Sequence, residues 1–145
     1  MRTISHLIIL FVVFFLLACT TNEESNTDTE VNNPKPFVSL KYLALGDSYT
    51  IGQSVCETCR FPVQLQDSIK KDLLENSTLS LKIIARTGWT TTNLIAAIKD
   101  ENLTEDYDLV TLLIGVNNQY QNKPFALYEK EFPELVNKSI ALAKG

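Results

Sequence analysis

From residue 37 onward the hydrophobic positions fall into blocks whose period changes from one block to the next. Phe37 to Leu45 is a nearly continuous apolar run that stops at Gly46, the pattern of a parallel strand buried on both faces ahead of a sharp turn. Phe61 to Leu74 carries Pro62 near its start and Leu65, Ile69, Leu73 and Leu74 at three- and four-residue spacing, which predicts an amphipathic helix ended by Asn76-Ser77. Leu79 to Ala85 predicts a second strand, Thr91 to Lys99 with Leu94, Ile95 and Ile98 a second helix, and Leu109 to Ile114 a third strand. From Pro124 to Lys144 one stripe holds Tyr128, Phe132, Leu135, Val136, Ile140 and Ala143. Pro133 predicts a kink or break in that last helix, and Gly145 is expected to cap it. Strands alternating with helices at this spacing imply an α/β fold, with right-handed crossovers and a parallel sheet covered on both faces.

The chain ahead of residue 37 reads differently. Arg2 is followed by eleven uninterrupted apolar residues, Leu7 to Leu17, a length that suits the core of an export signal and is short for a membrane span. That run closes in Leu16-Leu17-Ala18-Cys19, which resembles the bacterial lipobox. The resemblance implies that Cys19 is linked to diacylglycerol and becomes the new N-terminus. The expected location is then the cell-envelope membrane, on its periplasmic or surface face. At about 0.8 kcal/mol per buried methylene, two or three acyl chains suffice to hold a protein there. Thr20 to Pro36 is rich in Thr, Asn, Glu and Ser with little apolar content, so it cannot offset its ordering entropy and reads as a tether. Its Glu23-Glu24 pair is compatible with a surface-sorting signal and with a plain solvated linker. The expected division is a leader at 1–19, a tether at 20–36 and a folded domain at 37–145.

Charge narrows the choice of partner. All 17 acidic residues lie beyond the leader, and removing Arg2 from the 13 basic ones leaves a mature chain near −5. The lysines and arginines are scattered among carboxylates rather than clustered with aromatics, which argues against nucleic acid as a partner. Cys56 and Cys59 lie in one short loop. Export to an oxidising compartment favours a disulfide between them, ahead of free thiols. A metal site would need further soft or imidazole ligands, and the mature chain holds none. No cofactor is implied.

The candidate chemistry sits at the strand ends. Gly46-Asp47-Ser48-Tyr49-Thr50 follows the first strand, Arg86-Thr87-Gly88-Trp89-Thr90 the second and Gly115-Val116-Asn117-Asn118 the third. Parallel strands deliver all three loops to one sheet edge, where α/β proteins bind their ligands. Acyl transfer needs donors aimed at a developing oxyanion. A serine N–H, a glycine N–H and an asparagine amide supply three, from Ser48, Gly88 and Asn117, with the Ser48 hydroxyl placed to attack. Taken singly, these residues would read as a helix cap, a turn glycine and an Asx turn. Trp89 and Tyr120 flank the proposed site, and each is as compatible with a pocket wall as with loop packing. A nucleotide-binding reading of the same topology finds the Gly46 to Gly52 loop too poor in glycine to cradle phosphate.

Three motifs in order, each after its own strand, resemble the SGNH/GDSL hydrolases: Gly46-Asp47-Ser48 their first block, Gly88 their second, and Gly115-Val116-Asn117 their third, over residues 41 to 145. Asn118 departs from the aspartate common at that place. The resemblance implies a three-layer α/β/α, flavodoxin-like sheet in the order 2-1-3-4-5, of which this sequence offers three strands, leaving the third as an apolar edge. It implies a serine hydrolase acting on carboxylic esters of lipid or carbohydrate. It also implies an Asp-x-x-His segment near the C-terminus, which is not found here. The one histidine, His6, lies in the leader. Asp47 and Asp108 are the nearest acidic residues by position, and neither is expected to replace the missing base. Loss of one triad member costs on the order of 10⁴ to 10⁶ in turnover. The chain is therefore expected to be the front part of a longer enzyme, nearly inactive alone. The rival expectation is a non-catalytic lipoprotein fragment or binding module that keeps the oxyanion pocket.

Overall fold

The computed structural model describes residues 37 to 144. The expected export signal, Cys19, the tether and Gly145 lie outside the described residues.

Three parallel strands form the sheet: β1 (Ser39–Gly46), β2 (Thr78–Ala85) and β3 (Leu109–Leu113), in the order β2-β1-β3. Each strand is followed by a helix or a helical turn. Ser48–Ile51 forms α1, Phe61–Asp72 α2, Thr91–Asp100 α3, Val116–Tyr120 α4 and Phe125–Leu142 α5, with a single 3₁₀ turn at Glu57–Cys59. In register, Ser39 faces Thr78 at one end of β1 and Gly46 faces both Ala85 and Leu113 at the other. The three carboxyl ends are therefore level, and the three motif loops leave from one edge.

β1 explains why the chain layers as it does. Its side chains alternate across the sheet, and both faces are apolar. Leu43 and Leu45 enter a cluster with Ile84, Leu94, Ile98, Tyr107, Leu135 and Leu142, where α3 and α5 cover the sheet. Tyr42 and Ala44 enter the opposite cluster with Leu79, packed against Leu65, Ile69 and Leu73 of the α2 segment. Tyr42 through Leu45 are fully buried. Burying four consecutive side chains at roughly 25 cal/mol per Å² of apolar area makes β1 the axis of the domain. The result is the α/β/α sandwich expected from the pattern. Tyr42 keeps its buried hydroxyl satisfied through Thr111 Oγ1 at 2.9 Å.

Several expectations need correction. β1 starts at Ser39, and Phe37 and Val38 lie exposed. The Gly115–Asn118 loop is in fact mostly helical, since Val116 to Tyr120 winds into α4. Pro133 does not break the last helix. α5 runs through it from Phe125 to Leu142, because Leu135 and Leu142, two turns apart, anchor the part beyond it in the core. The stripe is also rotated from the expected one, with Leu142 buried and Ile140 exposed. The helix ends on Ala143 rather than at Gly145. Ala143 is extended and forms a parallel bridge with Tyr107, with Tyr107 N–H donating to the Leu142 carbonyl at 3.1 Å and Lys144 N–H to the Tyr107 carbonyl at 2.8 Å. The chain thus returns to the outer side of β3 just below its first residue.

The end of the sheet away from the motif loops is closed by charge. Lys41 Nζ meets Asp106 at 2.5 Å, Lys41 N–H donates to Asp108 Oδ2 at 2.8 Å, and Lys144 Nζ meets Asp108 Oδ1 at 2.9 Å. Asp108 is therefore engaged at the opposite end of the sheet from Ser48. Among the described residues, no helix is long and apolar enough to cross a membrane.

Candidate active site

Ser48 opens α1 immediately after β1. Asp47 is the N-cap, and its Oδ1 accepts from Tyr49 N–H at 3.0 Å, so the carboxylate takes up one of the N–H groups that a helix start leaves unpaired. Asp47 is almost wholly buried. Burial pushes its carboxyl above the ordinary carboxylate range, and the Tyr49 N–H offsets part of that rise. The chain turns here with no room to spare: a Cβ on Gly46 would run into Thr50 Oγ1 and would stand 2.5 Å from the Leu113 carbonyl. Ser48 itself is half-buried.

Gly88 lies in the loop after β2 at φ +82°, and a Cβ built on it would meet nothing within 4 Å. Its glycine is required by backbone conformation, since left-handed geometry costs an L-residue roughly 1–2 kcal/mol, and the side it leaves bare is open. The loop is held by its carbonyls: Gln121 Nε2 donates to the Gly88 carbonyl at 2.7 Å, and Asn117 Nδ2 to the Trp89 carbonyl at 3.0 Å. Asn117, in α4, is half-buried. Its amide also faces Asp47 Oδ2 at 3.4 Å, a long and weak contact. One amide thereby touches the loop after β2 and the carboxylate after β1, and the three motif loops meet at Asn117. Gly115, at φ +130°, starts α4 with its bare side against the Tyr128 ring.

A second layer of polar groups lies behind these loops. Asn118, which is buried, accepts from Thr91 N–H through Oδ1 at 2.9 Å and donates through Nδ2 to Thr91 Oγ1 at 2.7 Å. Thr91 Oγ1 in turn donates to Glu131 Oε2 at 2.5 Å, and Thr92 Oγ1 donates to the same carboxylate at 2.8 Å. Asn93 Oδ1 accepts from Thr90 N–H at 3.0 Å and completes the start of α3. None of Asn118, Thr91 and Glu131 stood out in the sequence as a site residue. The available signal was Glu131, a carboxylate on the buried stripe of α5 between Tyr128 and Leu135.

Of the other expected residues, Trp89 is partly buried against the core cluster of Leu94 and Leu135, whereas Tyr120 is 84% exposed. Cys56 and Cys59 are joined by a disulfide, with their Cα atoms 5.0 Å apart, in the exposed loop after α1. Among the described residues, no group of His, Cys, Asp and Glu is arranged to hold a metal ion. A cleft of about 770 Å³ opens beside α4, lined by Ile114, Val116, Asn118, Phe125 and Tyr128. Ser48, Gly88 and Asn117 do not line it.

The model of the GDSL-like Lipase/Acylhydrolase family matches residues 44–145. Among solved structures, the chain superposes on AlinE4, an SGNH-hydrolase family esterase, with a TM-score of 0.57 and 21% identity over 73% of this chain and 58% of that one. It superposes on TesA with a TM-score of 0.59 and 18% identity, over 72% of this chain and 57% of that one. The chain thus spans a little over half the length of these structures. No curated protein matches its sequence.

Proposed function

The chain belongs to the GDSL-like lipase/acylhydrolase family, and on that premise we propose that residues 37–144 carry the nucleophile and oxyanion half of a serine ester hydrolase. Ser48 Oγ attacks the carbonyl carbon of a carboxylic ester. The N–H groups of Ser48 and Gly88 and the Asn117 side-chain amide stabilise the oxyanion that forms. The observation that carries this reading is the meeting of the three loops at Asn117, which ties the Gly88 loop to the Ser48 turn. Donors fixed before reaction are worth more than donors that must reorganise. Asn117 holds its place through the Trp89 carbonyl and can exchange only its long contact to Asp47 for the oxyanion. The esters are those of lipids or carbohydrates. Cys19 is the proposed lipid attachment that holds the protein on the cell-envelope membrane, with residues 20–36 as its tether.

A second reading, a binding module that keeps the pocket without turnover, is favoured by one observation: residues 37–144 contain no histidine, so no imidazole of this part can take the Ser48 proton. One experiment separates the two. The full chain is exposed to a fluorophosphonate probe beside Ser48→Ala. Labelling that requires Ser48, in this chain or in this chain joined to a histidine-bearing C-terminal part of a family member, supports the hydrolase, and absence of labelling in both supports the binding module.

A further inference from the structure

We propose that Asn118, Thr91 and Glu131 form a directional hydrogen-bond chain that positions Gly88 and Asn117, and that its direction depends on residue 118 being an amide while residue 131 is a carboxylate. The inference rests on the reading of Gly88 and Asn117 as oxyanion donors. It concerns three residues that this reading does not use.

The direction follows from the donors available. Thr91 N–H can only donate, so the atom of Asn118 facing it at 2.9 Å is the carbonyl oxygen, Oδ1. The amide nitrogen, Nδ2, then faces Thr91 Oγ1 at 2.7 Å and donates to it. The hydroxyl has one proton. With a lone pair occupied by Asn118, that proton is free to go to Glu131 Oε2 at 2.5 Å. Glu131 accepts this bond and the one from Thr92, and a carboxylate accepts without donating. Every member is satisfied in one sense of the chain, Asn118 to Thr91 to Glu131.

An aspartate at position 118 would keep the shape and reverse the sense. Its second oxygen would require the Thr91 proton, and Glu131 would keep only its Thr92 donor while two carboxylates converged on one hydroxyl oxygen. A glutamine at position 131 would replace one accepting oxygen with a donor. Turned toward Thr91 Oγ1, that donor joins Asn118 Nδ2 on the two lone pairs of the hydroxyl and leaves the Thr91 proton without its acceptor, and turned toward Thr92 it meets a hydroxyl that was itself donating. Combining the two changes restores a consistent chain of the opposite sense, from the new amide at position 131 through Thr91 to the new carboxylate at position 118. Buried networks that are only partly satisfied are costly, so each single change is penalised and the pair is not.

The chain reaches the site through its first two members. Thr91 begins α3 three residues after Gly88, and Asn118 follows Asn117 directly in α4. Glu131 anchors the network to α5, which is held in the core by Leu135. A fault in the network therefore displaces the Gly88 N–H relative to the Asn117 amide. This makes Asn118, Thr91 and Glu131 positioning residues.

The test compares the full chain with Asn118→Asp, Glu131→Gln and the double variant, reading the melting temperature and the ¹⁵N–¹H resonance of the Gly88 amide. Each single variant is expected to lower Tm by about 5 °C, as loss of roughly 1 kcal/mol does in a domain of this size, and to displace the Gly88 resonance. The double variant is expected to recover most of both. Folding of the double variant where Asn118→Asp alone fails to fold supports the proposal equally. Additive losses in the double variant, failure of the double variant to fold, or single variants that leave the Gly88 resonance in place overturn it. The readout needs no turnover. A chain that shows the coupling but takes no fluorophosphonate at Ser48, even when joined to a histidine-bearing C-terminal part of a family member, refutes the hydrolase reading and leaves the network standing.

Discussion

Asn117 donates its side-chain amide to the Trp89 carbonyl across 3.0 Å, joining two residues 28 positions apart in the chain. The bond fixes the plane of the amide and leaves its second proton directed at Asp47 Oδ2, 3.4 Å away. One side chain is both the brace of the Gly88 loop and the proposed oxyanion donor.

Replacing Asn117 separates those duties. With a base supplied by a histidine-bearing C-terminal part of a family member, Asn117→Ala is expected to slow fluorophosphonate labelling at Ser48 by about 10²-fold, the usual effect of removing one oxyanion donor. Its melting temperature should also fall, because the Trp89 carbonyl loses its partner. Labelling rates measured alongside thermal melts check this. Unchanged labelling in a folded Asn117→Ala chain would remove Asn117 from the oxyanion set.

The two glycines at the site should respond to alanine for different reasons. Gly46→Ala places a methyl against Thr50 and the Leu113 carbonyl. Backbone cannot yield as a side-chain tip does, so an overpacking loss of about 1–3 kcal/mol is expected, together with a displaced Ser48 turn. Gly88→Ala meets no neighbour and is expected to cost only the left-handed penalty of roughly 1–2 kcal/mol. Its methyl would stand on the open side of the loop, so labelling should fall further than stability. Chemical denaturation and labelling rates, compared for the two variants, test the contrast.

Most of this fold was legible in the residues, and the reason is the length of the apolar runs. Leu43 and Leu45 facing one layer and Tyr42 and Ala44 facing the other need a run without alternation, which is what Phe37 to Leu45 displays. Gly46, Ala85 and Leu113 mark level strand ends, so the meeting of the three loops was also within reach. α4 was not, because five residues following Gly115 are too few for a periodic signal, and its one buried residue, Asn118, is polar and bonds to Thr91, 27 residues away. The behaviour of α5 at Pro133 was hidden for a related reason. A proline removes one backbone donor locally, whereas Leu135 and Leu142 hold the helix together through contacts with residues far away in sequence. The network at Glu131 rests on hydroxyl and amide geometry, and a sequence shows only that polar groups are present.

Stability should depend on acid through carboxylates of opposite sign. The Lys41 ammonium and the Thr104 hydroxyl beside Asp106 hold that carboxyl below its ordinary range, and Lys144 does the same for Asp108 with help from the Lys41 N–H. A lowered folded-state value means a contribution that is complete above the ordinary carboxylate range and is lost as pH falls through the folded values. Asp47, raised by burial, acts the other way: its ionised form opposes folding, and that penalty is relieved as pH falls through its folded value. Asp108→Asn is therefore expected to lower Tm at neutral pH and to flatten the acid limb. Asp47→Asn is expected to raise Tm near neutrality, with the gain fading in acid. Melting curves recorded from about pH 7 to about pH 3, spanning the ordinary carboxylate range, decide both signs, and a gain for Asp47→Asn that grew in acid would contradict the assignment.

The position of β1 in the sheet sets the order in which the molecule can be assembled during its synthesis. β1 leaves the ribosome before either of its neighbours, yet Ser39 must wait for Thr78 and Tyr42 for Leu109 before both of its edges are paired. At ~5–20 residues per second, the interval between Tyr42 and Leu109 lasts on the order of several seconds. Until β3 emerges, one edge of Tyr42 to Leu45, the fully buried part of β1, stays unpaired and open to other nascent chains.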